Sequence, residues 1–216
     1  MKRLSLLTLL LCLAPAVARA SGVQWGHTDL TGSSITSVVC SPNSGSGSVT
    51  SGHIEVVALA SNGSGPFGIS STRVTTWNSI FTSSGAVGAQ MWWGTITSSG
   101  VETITITGSS QKMGTACGEY TETNIDTSNT ASNNNVSVTT TKPNVTLVAI
   151  SQASNGAVTL TNFTTRVTEG GGGMVLGDQA QAATGTYTSN SSGGTGIRSI
   201  IADFYVPGVT VVPRHR

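Results

Sequence analysis

From residue 21 onward the apolar positions recur in short runs of alternating period, with no helical spacing of any length. In Val101-Glu-Thr-Ile-Thr-Ile-Thr107, Ile104 and Ile106 fall on one face and the threonines on the other; Asn135-Val-Ser-Val-Thr139 does the same with Val136 and Val138. A period of two marks strands that bury one face. Strand-like runs are read at Ile35–Cys40, His53–Ala60, Thr72–Trp77, Ala89–Ile96, Glu102–Thr107 and Ala116–Thr121. Further runs are Asn135–Thr140, Thr146–Ser151, Val158–Thr165, Met174–Gln179, Gly185–Thr188 and Ile197–Val206. Gly/Ser/Asn clusters separate them, among them Asn62–Pro66, Ser98–Gly100 and Ser191–Gly194; such residues supply turn conformations. Asn155-Gly156 reads as a two-residue hairpin turn. The Asn/Thr-rich stretch Glu122–Asn135 reads as a surface loop, and Gly170–Gly173 as a bend. The pattern predicts an all-β chain. Its expected form is a single two-sheet antiparallel sandwich, jelly-roll or Ig-like, of about 10–12 short strands over residues 21–206. Residues 207–216 form a C-terminal extension.

Composition narrows the class. Residues 21–216 contain 29 Ser and 32 Thr, and the whole chain is only 9% charged and 5% aromatic with 27 Gly. Threonine favours strands, whereas bundles, coiled coils and Rossmann-type enzymes draw on Ala, Leu, Glu and Lys. Low charge and regular Val/Ile also separate the chain from ordinary disorder.

The first twenty residues have the form of an export signal: Lys2 and Arg3, an apolar Leu4–Leu13, and Ala18-Arg19-Ala20 before the cut. The apolar run is shorter than the ~20 residues a span needs, and no other segment approaches that length. The expected location is therefore secreted, extracellular or cell-surface, or periplasmic. Without the signal, seven basic residues face nine acidic ones, so the formal charge changes from +1 to −2. Nucleic acid is then not an expected partner, since its binding needs clustered Lys and Arg. Cys12 leaves with the signal, and Cys40 and Cys117 remain as a pair suited to a disulfide in an exported chain, two separate buried thiols being the alternative.

The order of several segments resembles a β-sandwich family of unknown function found in secreted bacterial and phage-associated proteins. Gly52-His-Ile-Glu-Val-Val-Ala-Leu59 is similar to that family's opening strand, and Met91-Trp-Trp-Gly94 to its aromatic strand. Ala116-Cys-Gly-Glu-Tyr120 resembles a strand ending in Glu-Tyr, and Ile197–Tyr205 the closing strand. The Asp-x-x-Gly-Asn turn usual before the family's aromatic is missing after Arg73–Trp77. The resemblance implies a sandwich fold and no established activity.

Candidate chemistry is sparse. No Gly-x-Ser-x-Gly elbow or equivalent places His27, His53 or His215 beside a nucleophile. Paired carboxylates could serve a glycosidase; Glu55, Glu102, Glu119, Asp178 and Asp203 lie in or beside strands, and outward-facing strand residues are the simpler account. Asn124-Ile-Asp126 with Asn129 and Asn133–Asn135 lacks the acidic ladder of a calcium loop. No catalytic residue, metal site or cofactor is expected.

Trp92 and Trp93, adjacent in one strand, point to opposite faces. One belongs to the core. The other is a candidate for stacking on a sugar ring among Asn, Thr and Ser hydrogen-bonding groups. After Pro207, Val209, Val211 and Val212 form an apolar segment suited to pairing with a sheet edge. The expected function is a non-enzymatic exported sandwich acting as a surface, adhesion or assembly module, filament formation included, by self-association through sheet edges or the C-terminal strand. The alternative is a carbohydrate-binding module using the exposed Trp.

Overall fold

The computed structural model describes residues 26–28, 34–43, 46–83, 87–168 and 173–208, with the backbone alone for 26–28. The signal segment, Gly170–Gly172 and the C-terminal Val209, Val211 and Val212 lie outside the described residues. The strands in chain order are β1 (Gly26–Thr28), β2 (Ile35–Cys40), β3 (Ser48–Val49), β4 (Ile54–Ser61), β5 (Phe67–Ser71) and β6 (Asn78–Ser83). They continue with β7 (Gly88–Thr95), β8 (Gly100–Val101), β9 (Ile104–Gln111), β10 (Met113–Tyr120), β11 (Asn124–Ala131) and β12 (Asn135–Thr140). The remainder are β13 (Val145–Gln152), β14 (Thr159–Thr161), β15 (Thr164–Thr168), β16 (Met174–Gln181), β17 (Gly185–Ser192) and β18 (Arg198–Tyr205). The chain is thus all-β, and every pairing is antiparallel.

The strands divide over five sheets instead of the two of a single sandwich. The first half contributes a large sheet, β1-β10-β4-β7-β6, and a small one, β2-β9-β5; the second contributes β11-β18-β13-β16-β15 and β12-β17-β14. Taken in chain order, with the ribbon β3-β8 set aside, the two halves have the same strand order in both sheets. The chain is a duplicated topology.

Three hydrophobic cores fix the layering. Val57, Leu59, Trp92, Ile104, Ile106 and Met113 fill the space between the large and small sheets of the first half. Val136, Val138, Leu147, Ala149, Val175 and Ile201 do so in the second. The largest core joins the two large sheets: Val56, Ala58, Met91 and Tyr120 from one meet Val148, Ile150, Leu176, Ile200 and Phe204 from the other. The order through the molecule is therefore small sheet, large sheet, large sheet, small sheet. Both central strands, β4 and β13, are buried at all eight positions because each lies in an inner layer covered on both faces. At their ends, buried Gln152 joins the halves: the Ser61 amide donates to Gln152 Oε1 (3.1 Å), and Gln152 Nε2 donates to the Ser61 carbonyl (2.6 Å).

Cys40 and Cys117 form a disulfide with Cα atoms 6.1 Å apart. It stitches β2 of the small sheet to β10 of the large one.

Several local expectations change. Glu122–Asn135 is not a loop; most of it is β11, an edge strand half-buried except at Asn124 and Asn129, which are exposed. Thr72–Trp77 is not a strand, although Val74 makes one bridge to Ile96 and fills a small core. Val158–Thr165 divides into β14 and β15 at Asn162, whose φ of 66° turns the chain from the small sheet to the large one. Asn155-Gly156 makes no hairpin: β13 and β14 belong to different sheets, and Asn155 pairs with Thr195 instead.

Candidate functional site

Trp92 and Trp93 do face opposite ways, but their sheet has a neighbour on each side. Trp92 is 3% exposed within the core of the first half. Trp93 enters the shared core edge-on to Phe204, with centroids 6.4 Å apart, and Phe204 stacks on Tyr120 at 6.2 Å. No tryptophan therefore projects freely from this strand. What remains accessible of Trp93 lines a cleft of about 130 Å³ at the junction of the halves. Asn78 and Thr95 face it from the first half; Thr123, Asn124 and Ile125, just after β10, close the other side. The lining carries no formal charge.

The same end of the molecule holds most of the described carboxylates. Glu55 on β4 and Glu119 on β10 are direct cross-strand partners, so their side chains share a face, turned towards the small sheet. Glu119 is the hub. It accepts hydrogen bonds from the Thr50 amide (3.0 Å) and Asn43 Nδ2 (3.3 Å) and pairs with His53 Nδ1. Glu55 is fully buried, and neither carboxyl oxygen has a hydrogen-bond partner. Burial, reinforced by Glu102 and Glu119, pushes its carboxyl well above the usual range. Glu102, also buried, is raised chiefly by burial, opposed by the nearby Ser71 hydroxyl and the Thr72 and Arg73 amides, which approach without closing a hydrogen bond.

In the second half, burial raises Asp203 to about 6, against a hydrogen bond from the Thr127 amide. Asp126 is pulled up by burial, but hydrogen bonds from Thr141 and Lys142 outweigh this and hold it below the usual range. Between the large sheets, Tyr120 donates to Asp178 (3.1 Å), which also accepts from Arg166 Nε (2.9 Å). Burial, then Asp178, pushes the Tyr120 phenol well above its usual range and keeps it a donor.

These acids are spread along strands and do not converge: among the described residues no group of three or more His, Cys, Asp or Glu is arranged to hold a metal ion. Sequence patterning placed Glu55, Glu119 and Asp203 on strands but assigned them to an outward face. The missed signal lies in Ile54–Ser61 itself, whose nearly continuous apolar run belongs to a strand covered on both sides.

Comparison with family models, curated proteins and solved structures finds no match to the chain. No helix among the described residues is long and apolar enough to cross a membrane.

Proposed function

We propose that the chain is an exported, non-enzymatic β scaffold that acts as a surface, adhesion or assembly module and self-associates through sheet edges. The observation that carries this reading is the chemistry of those edges. Natural sheets commonly guard an edge with charge, Pro or a bulge. β5, β6 and β14 are edge strands without a single charged residue, and β6, the longest of them, leaves Phe81 37% exposed. The outer faces agree: the exposed positions of β12, β14 and β17 are Asn, Ser and Thr, locked in pairs such as Ser137–Thr188 (2.7 Å) and Thr139–Thr186 (2.9 Å). The signal-like start and the disulfide support an oxidising, extracellular compartment.

Light scattering on residues 21–216 tests the reading. The apparent mass should rise with concentration, and Phe81→Lys should return it towards the monomer. Deleting Val209–Arg216 measures what the C-terminal extension adds. A monomer of unchanged size at every concentration, with and without the extension, ends the proposal.

A carbohydrate-binding function is the second reading, and the Trp93 cleft favours it: an aromatic ring bordered by two Asn and two Thr side chains and no charge suits a neutral sugar ring. A glycan array should then bind the wild type and lose signal with Trp93→Ala and Asn124→Ala. Wild type binding no glycan rejects it.

A further inference from the structure

Glu55 is the least explained buried group in the molecule. A carboxyl that is 0% exposed with both oxygens unpartnered carries the full desolvation cost of an ion unless it is neutral. Among the described residues its surroundings offer no compensating cation. Glu119 faces it from β10, and Glu102 from the segment joining β8 to β9. Gly94, its partner on β7, has no side chain, and Cys40 on β2 is bound in the disulfide. His53 is committed to Glu119. Arg73, between β5 and β6, donates to the Val101 carbonyl (3.1 Å) and the Ser98 hydroxyl (3.1 Å), and its charge acts on Glu102. Among the described residues the acids do not converge as metal ligands would. A proton is the remaining way, among the described residues, to neutralise Glu55.

We propose that this end of the first sandwich is a proton-operated latch: it is closed while Glu55 carries a proton, and ionisation of Glu55 beside Glu119 releases the groups that Glu119 anchors. Those groups are the Thr50 amide, Asn43 and His53, which hold the segment entering β4 against β10. With Glu55 neutral, the Glu119 carboxyl accepts from the Thr50 amide and Asn43 and pairs with His53 without a competing charge beside it. With Glu55 ionised, an unpartnered charge faces Glu119 in a dry interior, and admitting water by opening the sandwich end relieves it. The direction of the effect follows. Because folding raises the Glu55 carboxyl above its unfolded value near 4.5, its contribution is full below that value and is lost as pH rises through the folded one. The latch therefore tightens in acid and loosens towards alkaline pH. Nothing in this depends on the assembly reading above.

Thermal unfolding of residues 21–216 at pH 5 and pH 8 tests it. Wild type should melt higher at pH 5 by roughly 3–8 °C, and Glu55→Gln should at least halve that difference by raising the midpoint at pH 8. An unchanged difference in Glu55→Gln overturns the proposal. Hydrogen exchange on the wild type gives a reading that needs no variant. The Thr50 amide, corrected for intrinsic rate, should be protected at pH 5 and exposed at pH 8; equal protection overturns the latch. Midpoints at pH 8 with millimolar Ca2+ or Mg2+ should stay unchanged; if either cation raises the midpoint as far as acid does, the cluster is a cation site and the latch is wrong.

Discussion

In the first sandwich the space between large and small sheets is filled by Trp92, Met113, Ile104 and Ile106 and crossed by the Cys40–Cys117 bond. In the second the matching space holds buried Val, Leu, Ile and Ala side chains with Phe163, Tyr187 and Tyr205 packed against them, and no cysteine lies there to bond. Instead a buried hydroxyl network closes one end: Ser151 reaches Ser199 (2.8 Å) and Ser191 (3.1 Å), and Ser191 reaches the Asn134 carbonyl (2.9 Å). The opposite ends differ as well, with Glu55, Glu102 and Glu119 in one half and Asp203 in the other. Yet the strand order is identical. Topology here follows from where apolar residues alternate and where the chain turns, and interiors of quite different chemistry satisfy it. The residue-specific devices sit at the sandwich ends, where strands stop and side chains are free to differ.

The largest way to break this comparison is to remove the first half's covalent bond. Cys40→Ala with Cys117→Ala frees a closed segment of sequence separation 77, which costs about 4–5 kcal/mol in the chain-entropy view. Denaturant unfolding should show a loss of that order; a loss below about 1 kcal/mol would mean that the first sandwich is held by its core alone, as the second is. Gln152→Ala comes next. It strands the buried Ser61 amide and carbonyl at the contact between the halves, at a cost of about 2–3 kcal/mol. A near-neutral result would show that the two central strands are not coupled at their ends. The third effect is a slope. Asp203 is raised by folding from 3.8 to about 6, so its contribution is complete below pH 3.8 and is lost as pH rises through about 6. Asp203→Asn should flatten the stability profile in that window and leave the effect of Glu55→Gln intact; if either substitution cancels the other, the two ends are one coupled cluster.

Much of the fold was legible in the residues. Ile35–Cys40 and Asn135–Thr140 coincide with β2 and β12, because strands with one wet face keep strict alternation. The inner strands were also recognisable as strands, but Ile54–Ser61 and Val145–Gln152 lack a polar face, and that absence is the mark of extra layers. β11 was hidden for the opposite reason: Asn124–Ala131 is polar because it borders a sheet without being wholly covered. The duplication was not read from the residues, since the space between sheets is filled around Trp92 and Met113 in one half and by Val, Leu, Ile and Ala beside Phe163 and Tyr187 in the other. The tryptophan pair was legible in direction and not in exposure. Alternation sets which way Trp92 and Trp93 point, while only the second half of the chain decides that Phe204 waits on the far side. Likewise the acids at Glu55, Glu119 and Asp203 look like surface residues until a second sheet covers them.

A scaffold of this kind requires the two sandwiches to act as one body through the core shared by Met91, Tyr120, Ile150 and Phe204. Scanning calorimetry on residues 21–216 measures this directly. The account predicts a single transition whose van't Hoff and calorimetric enthalpies agree at about 120–140 kcal/mol near 60 °C. Two resolved transitions, or a van't Hoff enthalpy near half the calorimetric one, would show two independent sandwiches and contradict it.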